Sequence, residues 1–203
     1  MPPDAATLRR SRPLVLADLI PEVRARDVAA IVGAACFVGL LAQVSIPLSW
    51  TPVPITGQTL GVVLAGSALG VRRAGAALTL YAVAGLAGLP WFAGHTAGWP
   101  GGLFGYVAGF VVAAVVCGWL AERRADRRVT SALPAMLAGN AVIFAIGVPW
   151  LAVADHFSAS EAIAKGLVPF LVGEGIKIAL AAALLPAAWR VFGATREPEA
   201  APS

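Results

Sequence analysis

Charge is absent from three long stretches of this chain, and no other feature of the sequence limits its fold as strongly. The stretches are 28–71, 74–121 and 129–154, with lengths of 44, 48 and 26 residues. A helix needs about 20 apolar residues to cross a lipid bilayer. The first two stretches are therefore each long enough for two crossings, and the third for one. A further apolar segment, 166–189, is interrupted by only two charged residues.

The sequence therefore predicts an all-α membrane protein, folded as a compact bundle of six transmembrane helices. The predicted crossings are 28–46, 59–70, 74–89, 103–121, 132–151 and 166–189. Charged residues make up only 13% of the chain, whereas soluble domains contain about 25%. The net charge of +4 does not indicate nucleic-acid binding, because the arginines are spread over separate segments instead of forming one patch.

The positions of the arginines predict how the bundle is oriented. All thirteen lie within 9–26, 72–73, 123–128 and 190–196. With six crossings and a cytoplasmic N-terminus, every one of these segments lies in the cytoplasm, as the positive-inside rule requires. The predicted outer loops, 47–58, 89–101 and 155–165, contain a single lysine and no arginine. We therefore predict cytoplasmic termini, with a cytoplasmic segment over 1–27, a transmembrane domain over 28–192 and a disordered tail over 193–203.

Glu174 and Lys177 are the two charges in the last predicted crossing, and they are the first candidates for a functional site. On a helix, residues three apart share one face. A charge at mid-bilayer costs about 2.5–3.5 kcal/mol, so both side chains should face the bundle interior or a cavity. They follow the last outer loop by nine to twelve residues, which places them in the outer half of the membrane. The alternative is an ion pair that only neutralises itself and binds nothing.

Other polar and aromatic residues are predicted at the same outer level. Asn140, the only asparagine of the chain, and Gln58 lie on other segments. Three prolines within 47–54 predict a stiff, extended loop that resembles a lid. Trp91 and Phe92, in the next outer loop, fit two roles: anchors at the membrane interface or walls against which a ligand stacks. Convergent polar groups with apolar walls are typical of small-molecule sites.

Enzymatic and metal sites lack the residues they need. The sequence contains no GxxxxGK[ST] phosphate-binding loop, no HExxH and no GxSxG. His95 and His156 stand alone in different outer loops, so we expect no metal site. No cysteine and histidine are arranged as a nucleophile with its base. We therefore expect a protein that is not an enzyme and that needs no cofactor.

Four sequence blocks resemble the BioY family, the biotin-binding S components of energy-coupling factor (ECF) transporters. The blocks are PVPITGQTLGVVLAGSALG (52–70), GLAGLPWFAG (85–94) after Tyr81, GN (139–140) and PFLVGEGIK (169–177). They occur in the family's order, and the similarity extends over about 28–190. The resemblance implies a six-helix substrate-binding domain in the bacterial cytoplasmic membrane that captures biotin from outside with high affinity. It also implies partners: a transmembrane coupling subunit and two cytosolic ATPases, which alone would use ATP.

The resemblance also suggests which residues bind the ligand and which contact a partner. The ligand-binding residues it implies are Thr56, Gln58, Tyr81, Trp91, Phe92, Asn140, Glu174 and Lys177. Glu174 stands where the family usually has aspartate, and the turn 98–105 differs from the family's GPTGGY. Ala30 and Ala34 match the AxxxA pattern through which S components contact the coupling subunit.

Three other functions remain alternatives at this stage. The first is an S component or secondary transporter for another small vitamin, with the same bundle and a different pocket. The second is a membrane enzyme that acts on lipids with Glu174 as its base. The third is a structural assembly protein, in which Glu174 and Lys177 only stabilise the bundle.

Overall fold

The computed structural model describes residues 15–19 and 24–194, which form an α-helical protein with one small strand hairpin. The elements are α1 (Arg24–Gln43), β1 (Ser45–Ile46), β2 (Ile55–Thr56), α2 (Gln58–Leu86), α3 (Phe104–Glu122), α4 (Val129–Ala154), α5 (Ala159–Gly166) and α6 (Leu171–Ala194). Short 3-10 turns occur at Leu16–Leu19, Ala93–His95, Gly101–Leu103 and Val168–Phe170. Most of the predicted terminal segments 1–27 and 193–203 lies outside the described residues.

Five helical segments within the described residues are long and apolar enough to cross a membrane. These segments are Ala25–Gln43, Gln58–Leu86, Gly101–Glu122, Val129–Ala154 and Ala159–Phe192. The prediction of a mostly helical chain with several candidate membrane-spanning helices is thus confirmed. The count of six crossings stays a prediction, because one of the five segments contains two predicted crossings. The side of the membrane on which the termini lie also stays a prediction.

That segment is α2, which reverses direction at Gly70. Gly70 has a φ of 79° and a ψ of 175°, values that interrupt a helix and that glycine adopts without steric cost. In an unbroken helix, Gln58 and Tyr81 would be about 35 Å apart, given a rise of about 1.5 Å per residue. The Gln58 amide nitrogen instead donates to the Tyr81 hydroxyl at 2.7 Å. The two arms, 58–69 and 71–86, therefore run antiparallel and correspond to the predicted crossings 59–70 and 74–89.

Small residues allow the α2 and α3 backbones to touch at this reversal. A Cβ atom on Gly118 of α3 would lie 2.6 Å from the Gly70 carbonyl carbon and 2.6 Å from the Val71 nitrogen. One on Gly66 would lie 2.8 Å from the Ala114 carbonyl oxygen. Close backbone approach of this kind is how membrane helices gain packing energy without a hydrophobic driving force between them.

The arginines of the described part gather at one end of the bundle, which we call the basic end. There Arg73 forms an ion pair with Asp27 at 3.0 Å, and the Val71 amide donates to Glu122 at 2.9 Å. The loop 123–128 lies beside the C-terminal part of α6, where the Trp189 indole donates to the Asp126 carboxylate. The arginine clusters of the described loops are therefore neighbours in space.

The opposite end, which we call the outer end, carries the three predicted outer loops. Ser45 pairs with Thr56 and Ile46 with Ile55 in an antiparallel hairpin. The proline-rich loop 47–54 is not helical, as predicted, but it turns and bends between the two strands instead of being extended. The Thr51 hydroxyl of this loop donates to the Lys165 carbonyl at 2.7 Å. The loops thus contact one another above the helices.

The last outer loop differs from the prediction, because most of 155–165 is helical. Ser158 caps α5 by accepting a hydrogen bond from the Glu161 amide, and the Glu161 carboxylate accepts one from the Ser158 amide at 2.9 Å. This capping box starts the helix. Pro169 lies in a 3-10 turn between α5 and α6, where its missing N–H interrupts helical hydrogen bonding. The last long helix therefore begins at Leu171 and not at the predicted residue 166.

Candidate ligand site

Glu174 and Lys177 lie in the first turns of α6 and contact each other directly. The Lys177 ammonium is 2.6 Å from Oε1 of Glu174, and the two side chains are 15% and 7% exposed respectively. Burying two ions costs several kcal/mol each, and their attraction offsets this only when further hydrogen bonds satisfy the remaining polar atoms. The surroundings of the pair therefore decide what it can do.

The start of α2 supplies those further bonds. Lys177 donates to the Thr56 carbonyl at 2.5 Å and to the Thr59 hydroxyl at 3.0 Å. The Thr59 hydroxyl in turn donates to Oε1 of Glu174 at 2.8 Å. An ammonium group has three protons, so the three bonds of Lys177 use all of them. The charged pair is thereby joined to the outer hairpin and to α2.

Oε2 of Glu174 is the unused atom of this cluster. It is buried and has no hydrogen-bond partner among the described residues. A buried polar atom without a partner costs about 1–3 kcal/mol, and such atoms are rare in native proteins. The carboxylate can therefore accept a hydrogen bond from a ligand without first losing one of its own.

The cluster forms the polar wall of a cavity at the outer end, with a volume of about 70 Å³. Its polar lining consists mainly of Thr56, Gln58, Thr59, Glu174 and Lys177. Aromatic rings form much of the remaining wall: Phe92, Tyr106, Phe110, Phe144 and Phe170. Val53 and Pro54 of the proline-rich loop close one side, in keeping with the predicted lid. Five of the predicted ligand residues therefore meet here, namely Thr56, Gln58, Phe92, Glu174 and Lys177.

Tyr81 and Trp91 were predicted on the site, but they lie behind its wall and not on it. The Tyr81 hydroxyl accepts a hydrogen bond from Gln58 at 2.7 Å and donates to the Trp91 carbonyl at 3.2 Å. The Trp91 indole donates back to the Tyr81 carbonyl at 2.9 Å, and the two rings lie 5.2 Å apart. Both residues hold Gln58 and the loop 89–101 in place, so they act on the cavity through their neighbours.

Asn140 is also placed differently from the prediction. It lines a second space, a groove of about 580 Å³ between α4 and α6. Its amide nitrogen donates to the Met136 carbonyl at 3.2 Å, and its amide oxygen is buried without a partner in the described part of the chain. Glu174 and Phe144 border both spaces. Asn140 therefore lies on the far side of Glu174 from most of the other predicted residues.

The two alanines predicted to contact a partner differ in exposure. Ala34 is 8% exposed and belongs to the protein's own core, whereas Ala30 is half-buried. A Cβ atom on Gly33, between them, would meet nothing within 4 Å. The open part of this α1 face is therefore formed by Ala30 and Gly33 more than by Ala34.

Sequence reasoning missed several residues that shape the cavity. Thr59 bridges the charged pair. Sequence does not reveal this role, because a threonine in an apolar helix does not by itself indicate a binding site. Tyr106 lines the cavity and donates to the Gly166 carbonyl at 2.8 Å. Gln43 donates to the Trp91 and Phe92 carbonyls at 3.2 and 3.3 Å. Its position, as a polar amide at the end of an apolar crossing, could have indicated a residue near the site.

Comparison with known proteins agrees with this architecture. The family model described as "BioY family" matches residues 13–194. The Biotin transporter BioY of Rhizobium etli is 34% identical over 156 residues, covering 72% of this chain and 82% of that protein. The Biotin transporter BioY of Thermotoga maritima is 35% identical over 144 residues, covering 70% of this chain and 82% of that protein.

A solved structure has the same fold. It is the crystal structure of the S-component for biotin from an ECF-type ABC transporter, and it matches with a TM-score of 0.75. The match covers 84% of this chain and 95% of that one, at 21% identity. Since the family model spans nearly all the described residues and the named relatives exceed 30% identity over most of their length, this chain belongs to the BioY family.

Proposed function

We propose that this chain binds biotin with high affinity and mediates its uptake across the cytoplasmic membrane as the substrate-binding subunit of an ECF-type transporter. The observation that carries the proposal is the buried cluster of Glu174, Lys177 and Thr59 on the wall of an outer cavity, in a chain of the BioY family. Relatives in this family are named biotin transporters. No chemical step and no cofactor is part of the proposal.

The polar wall suits the chemistry of biotin. The ureido group of biotin carries two N–H donors and a carbonyl, and its side chain ends in a carboxylate. Oε2 of Glu174 accepts a ureido N–H, while Lys177 donates to a carbonyl or carboxylate oxygen after giving up one of its present bonds. Thr56 and Gln58 supply further polar contacts at the same wall.

The aromatic wall supplies most of the affinity. A nanomolar dissociation constant corresponds to about −12 kcal/mol, and net hydrogen bonds contribute only about 0.5–1.5 kcal/mol each, or 1.5–3 kcal/mol when a charge takes part. The remainder comes from burying the apolar ring system and side chain of biotin against Phe92 and the other rings. Tyr81, Trp91 and Asn140 act on the site from behind the wall.

Ligand binding at this site requires movement of the outer loop. Ligand pockets usually measure about 300 Å³ or more, whereas the cavity encloses about 70 Å³. The proline-rich loop 47–54 is held to the rest of the outer end partly by the bond from Thr51 to the Lys165 carbonyl. Displacement of this loop is the simplest way to enlarge the cavity, because it covers one side.

Six crossings and cytoplasmic termini are part of the proposal. The two antiparallel arms of α2 each cross the membrane, with the Gly70 reversal on the cytoplasmic side. This arrangement places the basic end inside, in agreement with the positive-inside rule. The coupling subunit then contacts the open part of the α1 face at Ala30 and Gly33, which Ala34 borders, and cytosolic ATPase partners hydrolyse the ATP.

Ligand identification tests the proposal directly. The chain is purified in detergent, any ligand is released by denaturation, and its mass is measured. Isothermal titration with biotin then gives the affinity, and thiamine and riboflavin serve as competitors. We expect copurified biotin and a nanomolar dissociation constant that neither competitor changes. A protein without affinity for biotin that binds a different vitamin would show that the transported ligand is not biotin.

A further inference from the structure

Thr59 occupies a position that the function described so far does not explain. Its hydroxyl lies between the two buried charges, donating to Oε1 of Glu174 at 2.8 Å and accepting from Lys177 at 3.0 Å. The side chain is 8% exposed and lines the cavity. Lys177 also contacts Oε1 of Glu174 directly, at 2.6 Å, so the three side chains close a ring of hydrogen bonds.

This ring makes the two oxygens of Glu174 unequal. Oε1 receives two donors, one from Lys177 and one from Thr59, whereas Oε2 has no partner among the described residues. Lys177 alone does not fix the carboxylate, because a single ammonium contact allows the group to rotate about its last bond. The second donor restricts that rotation, so Oε2 has one orientation.

The position of Thr59 is set independently of α6. It lies in the first turn of α2, and the preceding Gly57 amide donates to the Leu41 and Val44 carbonyls, both at 3.1 Å. A Cβ atom on Gly57 would come within 2.9 Å of the Leu41 carbonyl oxygen. Contacts with the end of α1 therefore fix the start of α2, and the hydroxyl is presented to Glu174 from a separate, well-packed element.

We propose that Thr59 is a positioning residue that fixes the direction in which the free oxygen of the Glu174 carboxylate points, and through it which ureido N–H of the ligand is recognised. The inference rests on the proposed biotin binding. Because Oε2 is the only free carboxylate oxygen and has a fixed direction, it accepts from one of the two ureido nitrogens. The other nitrogen meets a different part of the wall.

Two biotin isomers test the inference, each methylated on one of the two ureido nitrogens. Dissociation constants are measured for biotin and for both isomers with the wild-type chain, Thr59→Val and Thr59→Ser. Valine has the shape of threonine without the hydroxyl, and serine restores the hydroxyl. Ser67→Ala is the matched control, since it also removes one buried hydroxyl from the same arm of α2 but lies outside the cavity lining. Thermal unfolding in detergent is recorded for every variant.

We expect the wild-type chain to discriminate between the isomers by about tenfold or more, the size of one hydrogen bond to a charged group. Thr59→Val should reduce this ratio to about threefold or less, because the free oxygen of Glu174 then has no fixed direction. Thr59→Ser and Ser67→Ala should keep the wild-type ratio, whatever their unfolding temperatures.

The inference is overturned if Thr59→Val retains the wild-type ratio, or if the wild-type chain does not discriminate. It is also overturned if Thr59→Val weakens all three ligands equally, since that result indicates only a structural role. Failure of the proposed function would look different, because the wild-type chain itself would then not bind biotin.

Discussion

Lys177 is the residue whose role the geometry defines most sharply, because it has no spare proton. Its three donors are used by the Thr56 carbonyl, the Thr59 hydroxyl and Glu174. A ligand can contact Lys177 only by replacing one of these acceptors. The bond to Thr56 joins α6 to the outer hairpin, so replacing that bond would also release the hairpin from the charged pair.

Replacing Lys177 with alanine should weaken biotin binding at least tenfold. The change removes a charged donor from the wall, and a hydrogen bond to a charged group contributes about 1.5–3 kcal/mol. It also leaves the buried Glu174 carboxylate without its counter-ion. The chain should still fold, because Thr59 continues to donate to Glu174. Isothermal titration measures the affinity, and gel filtration in detergent reports the fold.

Lys165→Ala is the matched control for this prediction. The Lys165 ammonium lies 4.0 Å from the centre of the Phe157 ring, also at the outer end but outside the cavity lining. Its loss should leave the biotin affinity unchanged. An unchanged dissociation constant for Lys177→Ala would show that Lys177 does not contribute to biotin binding.

The charged pair was predictable from sequence, whereas its bridging residue was not. A charge within an apolar crossing is costly, so Glu174 and Lys177 stand out without any structure. Thr59 does not stand out, because a threonine hydroxyl in a helix can be satisfied by the backbone of its own helix. Asn140 was correctly predicted as a polar residue inside the bundle, but sequence alone could not place it in the groove between α4 and α6.

At the level of elements, the packing of α3 against the reversal of α2 leaves no room for an added Cβ atom. Gly118→Ala should destabilise the protein, because the new Cβ atom would lie 2.6 Å from two backbone atoms at Gly70 and Val71. Overpacking of this kind costs about 1–3 kcal/mol. We expect a clear decrease in unfolding temperature in detergent. Gly33→Ala is the control, since its Cβ atom would meet nothing within 4 Å, and a decrease of equal size there would contradict the explanation.

A second element-level contact joins the loop 123–128 to α6. Asp126 is 1% exposed and accepts a hydrogen bond from the Trp189 indole. The Arg127 guanidinium stacks 3.2 Å above the Trp189 ring, and its Nε lies 3.6 Å from Oδ1 of Asp126. Burial raises the pKa of Asp126, and the Trp189 bond and the Arg127 charge only partly oppose this effect.

This raised pKa predicts a pH dependence of stability. The folded chain holds the Asp126 proton more tightly than the unfolded chain, whose aspartate pKa is about 3.9. The contribution of Asp126 to stability is therefore greatest below that value and declines as the pH rises through the folded pKa. Asp126→Asn keeps an acceptor for Trp189 and never becomes charged.

The unfolding temperature of Asp126→Asn should therefore rise relative to that of the wild-type chain as the pH increases from about 4 to 8. Thermal unfolding in detergent at several pH values measures the difference. Asp155→Asn, at the outer end, controls for the loss of one carboxylate elsewhere. A difference between Asp126→Asn and wild type that is constant over this pH range would contradict the prediction.

Predictions for the elements succeeded where charge and length alone decide them. Both limits of α4 and the end of α3 follow from the charge-free stretches, because charged residues stay out of the hydrocarbon layer. The helix α5 was missed, although Ser158 and Glu161 have the spacing of a capping box. The reversal of α2 within one residue was also missed, since the predicted crossings left a connection over 71–73 and sequence did not show that Gly70 would make the turn alone.

For the molecule as a whole, the location of the described arginines at one end is the feature that relates fold to orientation. Ion pairs and hydrogen bonds bring Asp27, Arg73, Glu122 and Asp126 to the basic end. Loops rich in proline, glycine and aromatic residues form the outer end, beside the cavity. A binding site at the end opposite to the arginines is what capture of a ligand from outside requires.

Cysteine labelling of whole cells tests this orientation and the double crossing of α2 together. In a Cys36→Ala, Cys117→Ala background, Ser49→Cys and Ala97→Cys probe the outer loops, and Arg72→Cys probes the reversal at Gly70. A membrane-impermeant maleimide should label the two outer positions in intact cells. It should label position 72 only after the membrane is permeabilised, because two crossings by α2 return the chain to the outer side and leave the arginines inside. Detergent-solubilised samples show that every cysteine is reactive. Labelling of position 72 in intact cells would place the basic end outside. The cavity, at the opposite end, would then face the cytoplasm and could not capture a ligand from outside.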